Sequence, residues 1–226
     1  MSRTVRTEQT KCTVTGPAGR IEVLQDDPGD AFLEGGRRGI ALVAHPHPAG
    51  GGANTNKVAW TLAKTLADLG YVALRPNFRG VGETEGDHDD GEGETEDLLA
   101  VLADAASRFG DHLPVILAGF SFGAYCQTRV AQRLAEAGRP AVRLILVGTA
   151  AGFVEGTRHY DTRAVPPDTL VIHGSEDVTV PLTNVLAWAA PQDVPVVVVP
   201  GADHFFHRRL HLIRDIVLRA LRGGVC

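Results

Sequence analysis

The residues Gly119-Phe120-Ser121-Phe122-Gly123 follow the apolar run Val115-Ile116-Leu117-Ala118 and precede a helical stretch. A serine on a sharp turn from strand to helix projects its hydroxyl beyond the end of a sheet, and glycines two places to either side let neighbouring backbone pass close by. Ser121 is therefore the candidate nucleophile. Because a hydroxyl is a weak nucleophile at neutral pH, it needs a histidine base. That histidine in turn needs a carboxylate to fix its tautomer and stabilise its cation.

Chain order narrows the choice of partners, since after an elbow of this kind the acid comes next and the histidine last. Of nine histidines, only His204, His207 and His211 lie beyond the late acidic candidates. His204 follows the apolar run Val196-Val197-Val198-Val199 and the turn Pro200-Gly201-Ala202-Asp203, where a strand-end loop can deliver a side chain to the site. His207 and His211 fall at helical spacing and read as helix-surface residues. For the acid, the segment His173-Gly174-Ser175-Glu176-Asp177 leaves an apolar run and offers two carboxylates in a turn. Alternate loop positions face opposite ways, and we favour Asp177 over Glu176, with Asp161 as a further competitor.

The oxyanion formed in acyl transfer needs preorganised N–H donors. One is expected from the backbone amide of Phe122, the residue after the nucleophile. The second is expected from the loop His45-Pro46-His47-Pro48-Ala49-Gly50-Gly51-Gly52. Proline has no N–H, so between Pro46 and Pro48 only His47 can donate. His45, Asn77 and Arg79 are candidates for contacting substrate, although Asn77 and Arg79, which follow the next strand, could equally brace the loops. An H-x-H pair at 45 to 47 without a third ligand does not make a metal site. Neither a metal nor a cofactor is expected.

These residues must be carried by strands that end at a common edge. Short, almost wholly apolar runs at Ile40 to Ala44, Tyr71 to Arg75, Val115 to Gly119, Leu144 to Gly148, Leu170 to His173 and Val196 to Val199 alternate with amphipathic stretches. Runs of that kind suit strands buried on both faces, and the alternation implies an α/β fold with a mostly parallel sheet. Ahead of them, Lys11 to Thr15 and Arg20 to Leu24 flank Gly16-Pro17-Ala18-Gly19 and predict an antiparallel hairpin within residues 1–38. Helical stripes run through Val58, Leu62, Leu66 and Leu69, through Leu98, Leu102 and Ala105, and through Val130, Leu134 and Ala137. They stop at Gly70, Gly110 and Gly138, where helix C-caps favour glycine. A last helix is expected from about Phe206 to Leu221, packed on the sheet with a solvated basic face.

At 226 residues the chain fits one domain, residues 1–226. Its net charge of -5, with dispersed Lys and Arg, gives no footprint for nucleic acid. No apolar run approaches the roughly 18 residues that would span a bilayer, and residues 1–11 have no signal-like apolar segment. Cys12, Cys126 and Cys226 are too few and too scattered for a disulfide framework. A cytoplasmic monomer or homodimer acting on a small molecule, with no nucleic-acid or membrane partner, is the expectation. The acidic segment from Glu83 to Asp97 fails as a calcium loop, because Glu92 stands where the turn glycine would be if Asp87 were the first ligand. It reads as a solvated loop whose carboxylates also favour the N-terminus of the next helix.

With these residues in view, the chain resembles the α/β-hydrolase superfamily, and within it the small bacterial serine hydrolases related to dienelactone hydrolase. The carrying motifs are H-P-H-P-A-G-G (45 to 51), R-P-N-F-R-G-V-G-E-T-E-G (75 to 86), G-F-S-F-G, H-G-S-E-D-V-T-V-P and G-A-D-H-F-F (201 to 206). The resemblance implies an eight-stranded, mostly parallel sheet flanked by helices, with Ser121, Asp177 and His204 as the triad. It departs from dienelactone hydrolase itself, which places cysteine at the elbow; Cys126 lies a turn or more into the helix and is expected to be packed. It also departs from dehalogenases and epoxide hydrolases, which use aspartate there. About twenty residues separate Gly148 from Leu170, too few for a cap domain, so an open, shallow site is expected. Cleavage of small acyl esters or thioesters follows as the implied activity. An acyltransferase, amidase or peptidase would use the same parts, and a non-catalytic binding protein would use the same fold.

Overall fold

The computed structural model describes residues 7–29, 36–154 and 158–222; Cys226 and parts of the segment before residue 39 lie outside the described residues. Ten strands and five helices follow one another as β1 (Glu8–Gly16), β2 (Gly19–Asp27), β3 (Gly39–Ala44), α1 (Lys57–Asp68), β4 (Tyr71–Pro76), α2 (Glu92–Phe109), β5 (Val115–Phe120), α3 (Phe122–Glu136), β6 (Arg143–Val147), β7 (Gly152–Val154), β8 (Arg158–Tyr160), β9 (Leu170–Gly174), α4 (Leu182–Ala189), β10 (Val196–Val199) and α5 (Leu210–Arg222). Eight strands form one sheet in the order β1-β2-β4-β3-β5-β6-β9-β10, with β7 and β8 as a separate pair. From β4 to β10 all neighbours are parallel, while β1–β2 and β2–β4 are antiparallel.

The apolar strand runs are buried on both faces because helices cover both. Leu42, Leu74, Leu117 and Leu146 point to the side packed by α2 and α3, together with Leu98, Val101, Phe122 and Val130. Their neighbours Ala41, Val43, Ala73, Ile116 and Ile145 point to the other side, against Val58, Leu62 and Leu66 of α1 and Ile213 and Val217 of α5. Each fully buried leucine or isoleucine of this kind contributes about 1.5–3 kcal/mol. The helix ends are as the sequence predicts: Gly70 and Gly138 adopt left-handed backbone just beyond α1 and α3, and Gly110 closes α2.

Three features differ from the sequence reading. The last helix starts at Leu210 rather than near Phe206, because Phe206 and Arg208 have φ of 52° and 60°, which no α-helix accommodates. His207 therefore lies in a turn, where Asp203 accepts its backbone N–H and pairs with its Nδ1, while His211 is exposed on α5 as expected. The α4 helix and the β7–β8 pair carry no strong periodicity, since eight and three residues are too short to show one.

The third difference concerns the acidic segment, which is not uniformly solvated: Glu94 and Asp97 are buried. Glu94 accepts the backbone N–H groups of Asp89 and Gly91 and pairs with His88, and so closes the N-terminus of α2. Asp97 binds Arg79 through two hydrogen bonds.

Candidate functional site

Ser121 sits between β5 and α3 with φ 56° and ψ −118°, a backbone state costly for a residue with a Cβ. The surroundings over-determine it. Its N–H donates to Val147 at 2.9 Å, and its carbonyl accepts from Ala124 and Tyr125 at 3.0 and 3.1 Å. The two glycines of the elbow are there for contact. A Cβ on Gly119 would lie 2.5 Å from the Gly123 carbonyl oxygen, and one on Gly123 would lie 2.5 Å from the Ala44 carbonyl oxygen. Only side-chain-free positions let β5, α3 and the end of β3 come this close.

The parallel strands bring the partners to the same edge. The turn after β9 carries Asp177 and the turn after β10 carries His204, and both lie close to the end of β5 because β5, β6, β9 and β10 are consecutive in the sheet. His204 Nε2 lies 3.0 Å from Ser121 Oγ, and His204 Nδ1 lies 2.7 Å from Asp177 Oδ2. The other carboxylate oxygen of Asp177 accepts the N–H groups of Thr179 and Val180 at 3.0 and 2.7 Å. That grip orients the acid, and all three side chains are nearly withdrawn from solvent. Glu176 and Asp161 take no part in this chain of hydrogen bonds.

His173, just before this turn, was not singled out from the sequence. It is fully buried, with Nε2 2.9 Å from the Val180 carbonyl and 3.4 Å from Asp177 Oδ2, so the acid lies between two imidazoles. Burial holds its basicity down. Its place in H-G-S-E-D, at the end of β9, was the available signal.

The 45 to 52 loop closes the other side. The His47 carbonyl accepts from Gly50 and Gly52, and its Nδ1 accepts the Ala49 N–H at 3.1 Å. Burial first, and the Arg158 charge second, lower the His47 pKa to about 4. The ring is thus neutral at physiological pH with its proton on Nε2, and it packs on Phe122 and His88. The Phe122 amide opens α3, where the first N–H groups of a helix have no intrahelical acceptor.

His45, Asn77 and Arg79, the candidates for substrate contact, do not line the pocket at Ser121. His45 is fully buried, donating from Nδ1 to the Pro46 carbonyl and accepting the Phe78 N–H at Nε2, and burial lowers its pKa to about 4. Asn77 accepts the Asn54 N–H, and Arg79 is committed to Asp97. All three brace the loops that shape the site. Cys126 is fully buried in α3, which pushes its thiol pKa well up.

A solvent-open pocket of about 60 Å³ lies beside Ser121, His47, Thr179, His204 and Phe205. Its remaining wall is the β7–β8 pair, through Val154, Arg158 and Tyr160. The stretch between β6 and β9 thus holds no cap domain among its described residues, yet it does not leave the site flat. Asn184 donates to the Ala151 and Phe153 carbonyls, Thr162 donates to the Ala150 carbonyl, and the Ala150 N–H donates to Ser121. These bonds hold the pair against the elbow. Among the described residues no helix is long and apolar enough to cross a membrane.

Comparison with known proteins agrees with this fold. The family model of the alpha/beta hydrolase domain matches residues 39–213. An alpha-beta serine hydrolase homologue from Coxiella burnetii is 38% identical, with a TM-score of 0.78 over 94% of this chain and 97% of that one. A serine hydrolase without a lid from Xanthomonas campestris is 34% identical, with a TM-score of 0.81 over 96% of this chain and 95% of the other. An uncharacterised protein of Rickettsia prowazekii is 33% identical over 201 residues, 84% of this chain and 79% of its own length.

Proposed function

Because the chain belongs to the alpha/beta hydrolase family, we propose that it is a serine hydrolase cleaving small acyl esters or thioesters through an acyl-enzyme on Ser121. The observation that carries this reading is the continuous chain from Ser121 Oγ to His204 Nε2 at 3.0 Å and from His204 Nδ1 to Asp177 Oδ2 at 2.7 Å. His204 Nε2 takes the hydroxyl proton as Oγ bonds to the substrate carbonyl carbon, and Asp177 stabilises the imidazolium that results. The carbonyl oxygen becomes an oxyanion, which the backbone N–H groups of Phe122 and His47 receive. As the tetrahedral intermediate collapses, the bond to the leaving alkoxide or thiolate breaks, and His204 returns the proton to that group. A water molecule then repeats the sequence on the acyl-enzyme, releasing the acid and restoring Ser121.

A pocket open to solvent, with no cap domain among the described residues between β6 and β9 to cover a long chain, supports short acyl groups. The test is covalent labelling by a fluorophosphonate probe, run beside turnover of acyl esters and thioesters of graded chain length. Wild type should label and turn over the short substrates, and Ser121→Ala should do neither. Equal labelling of both proteins, or turnover that survives Ser121→Ala, overturns the reading.

A further inference from the structure

One buried imidazole beside the site has no part in the proton path described above. His173, next to last in β9, is fully withdrawn from solvent, a costly place for a polar ring. Its Nε2 lies 2.9 Å from the Val180 carbonyl oxygen, which can only accept, so Nε2 carries a proton. Nδ1 is buried and finds no partner among the described residues. Burial lowers the basicity of the ring, which therefore stays neutral and holds that single proton. The same N–H lies 3.4 Å from Asp177 Oδ2, the oxygen that His204 Nδ1 meets at 2.7 Å. The turn carrying Asp177 needs such a tie, because Val178 at its tip is 89% exposed and packing does not hold it there. Toward β10 the turn is fixed by the backbone N–H groups of Ser175 and Glu176, which donate to Val199 and Ala202. At its far end Asp177 Oδ1 accepts the Val180 N–H at 2.7 Å, and the Val180 carbonyl accepts from His173. His173 thus grips the residue that grips the acid.

The geometry points to His173 as a positioning residue for the proposed hydrolysis: its Nε2–H locks the 177 to 180 turn through the Val180 carbonyl and presents a second donor to Asp177 Oδ2. This inference rests on the serine hydrolase reading above. The first effect keeps the carboxylate aimed at His204, so its loss lowers kcat and not substrate affinity, since His173 does not line the pocket. The second effect has a definite sign. A donor aimed at a carboxylate takes up part of its charge. Without that donor Asp177 holds the His204 imidazolium more firmly, and the base stays protonated to a higher pH. The other polar groups around the base are Ser121, which it faces, and His47, Arg158 and Tyr160 across the pocket. Asp203 and His207 beside it pair with each other at the surface. None of these is bonded to His173, so its replacement leaves them in place.

The test measures kcat, KM and the pH profile of kcat/KM for a short p-nitrophenyl ester in wild type, His173→Phe and His173→Gln, with thermal unfolding of each. Phenylalanine fills the place of the ring without a donor, whereas the glutamine amide can still reach the Val180 carbonyl. His173→Phe should lose about tenfold in kcat, the size of one hydrogen bond, with KM within about threefold of wild type. The acid limb of its kcat/KM profile should move up by about half a pH unit. His173→Gln should recover most of the rate and return the limb toward its wild-type position. A merely structural role would lower the rate and leave the limb where it is. A kcat unchanged in His173→Phe, a rate loss with an unmoved limb, or a His173→Gln protein no better than His173→Phe overturns the inference while the hydrolase reading stands. If His173→Phe does not fold, His173→Asn, whose amide is too short to reach Val180, replaces it under the same criteria. Failure of wild type to take the fluorophosphonate label removes the hydrolase reading and this inference with it.

Discussion

Asp177→Asn tests the proposed division of labour most sharply, because the surroundings dictate how the new side chain must sit. One carboxylate oxygen accepts the Val180 and Thr179 amides at 2.7 and 3.0 Å, and the other faces His204 Nδ1 at 2.7 Å. An asparagine has a single oxygen, and it must take the first position. Turning the NH2 group there would set donors against two backbone N–H groups, at about 1–3 kcal/mol for each buried bond left unmade. The NH2 group therefore points at His204 and donates to Nδ1. The imidazole proton must then reside on Nε2, which faces Ser121 Oγ at 3.0 Å and can no longer accept the hydroxyl proton. Enforcing the wrong tautomer in a triad of this kind lowers kcat by about 10,000-fold, or about 5.5 kcal/mol at 1.36 kcal/mol per tenfold. The assay is kcat for a short p-nitrophenyl ester, with thermal unfolding run alongside to show that the variant folds. A folded Asp177→Asn protein retaining a tenth or more of wild-type kcat would refute the assignment of Asp177 as the residue that orients the base.

Two further predictions concern the braces around the site. Burial holds His45 at a pKa of about 4 against an ordinary 6.5, so as the pH falls the unfolded chain takes up this proton first. The stability associated with neutral His45 is intact above pH 6.5 and is lost as the pH falls toward 4, at up to about 1.4 kcal/mol per pH unit. Urea unfolding at pH 7, 6 and 5 should show a steeper loss for wild type than for His45→Gln, and parallel losses would count against the brace. Arg79→Met strips the partner from buried Asp97. It should cost about 3–5 kcal/mol of stability and leave KM for a short ester within about threefold; a raised KM with unchanged stability would return Arg79 to the substrate.

The parts of this protein that could be read from its sequence are those on which local chemistry places a single demand. A strand buried between two helical layers must be a nearly unbroken apolar run, so β3, β4, β5, β6, β9 and β10 were visible within a residue or two. A nucleophile elbow needs Gly119 and Gly123 for reasons internal to the turn, and the order of strand-end loops then leaves His204 and Asp177 as its natural partners. His45 and Arg79 could not be resolved in this way. Whether an imidazole or a guanidinium faces a ligand or a carbonyl depends on what lies across from it in space. Here that was the Phe78 amide, 33 positions away, and the Asp97 carboxylate, 18 positions away. The same holds for β7–β8, whose three-residue strands carry no periodicity and whose position is set by Asn184 and Thr162. In an enzyme without a cap, such short irregular segments form the pocket wall. The chemistry proposed at Ser121 is therefore legible well before the pocket wall, since the first depends on turn geometry and the second on Val154 and Tyr160, two side chains in a stretch with no pattern of its own.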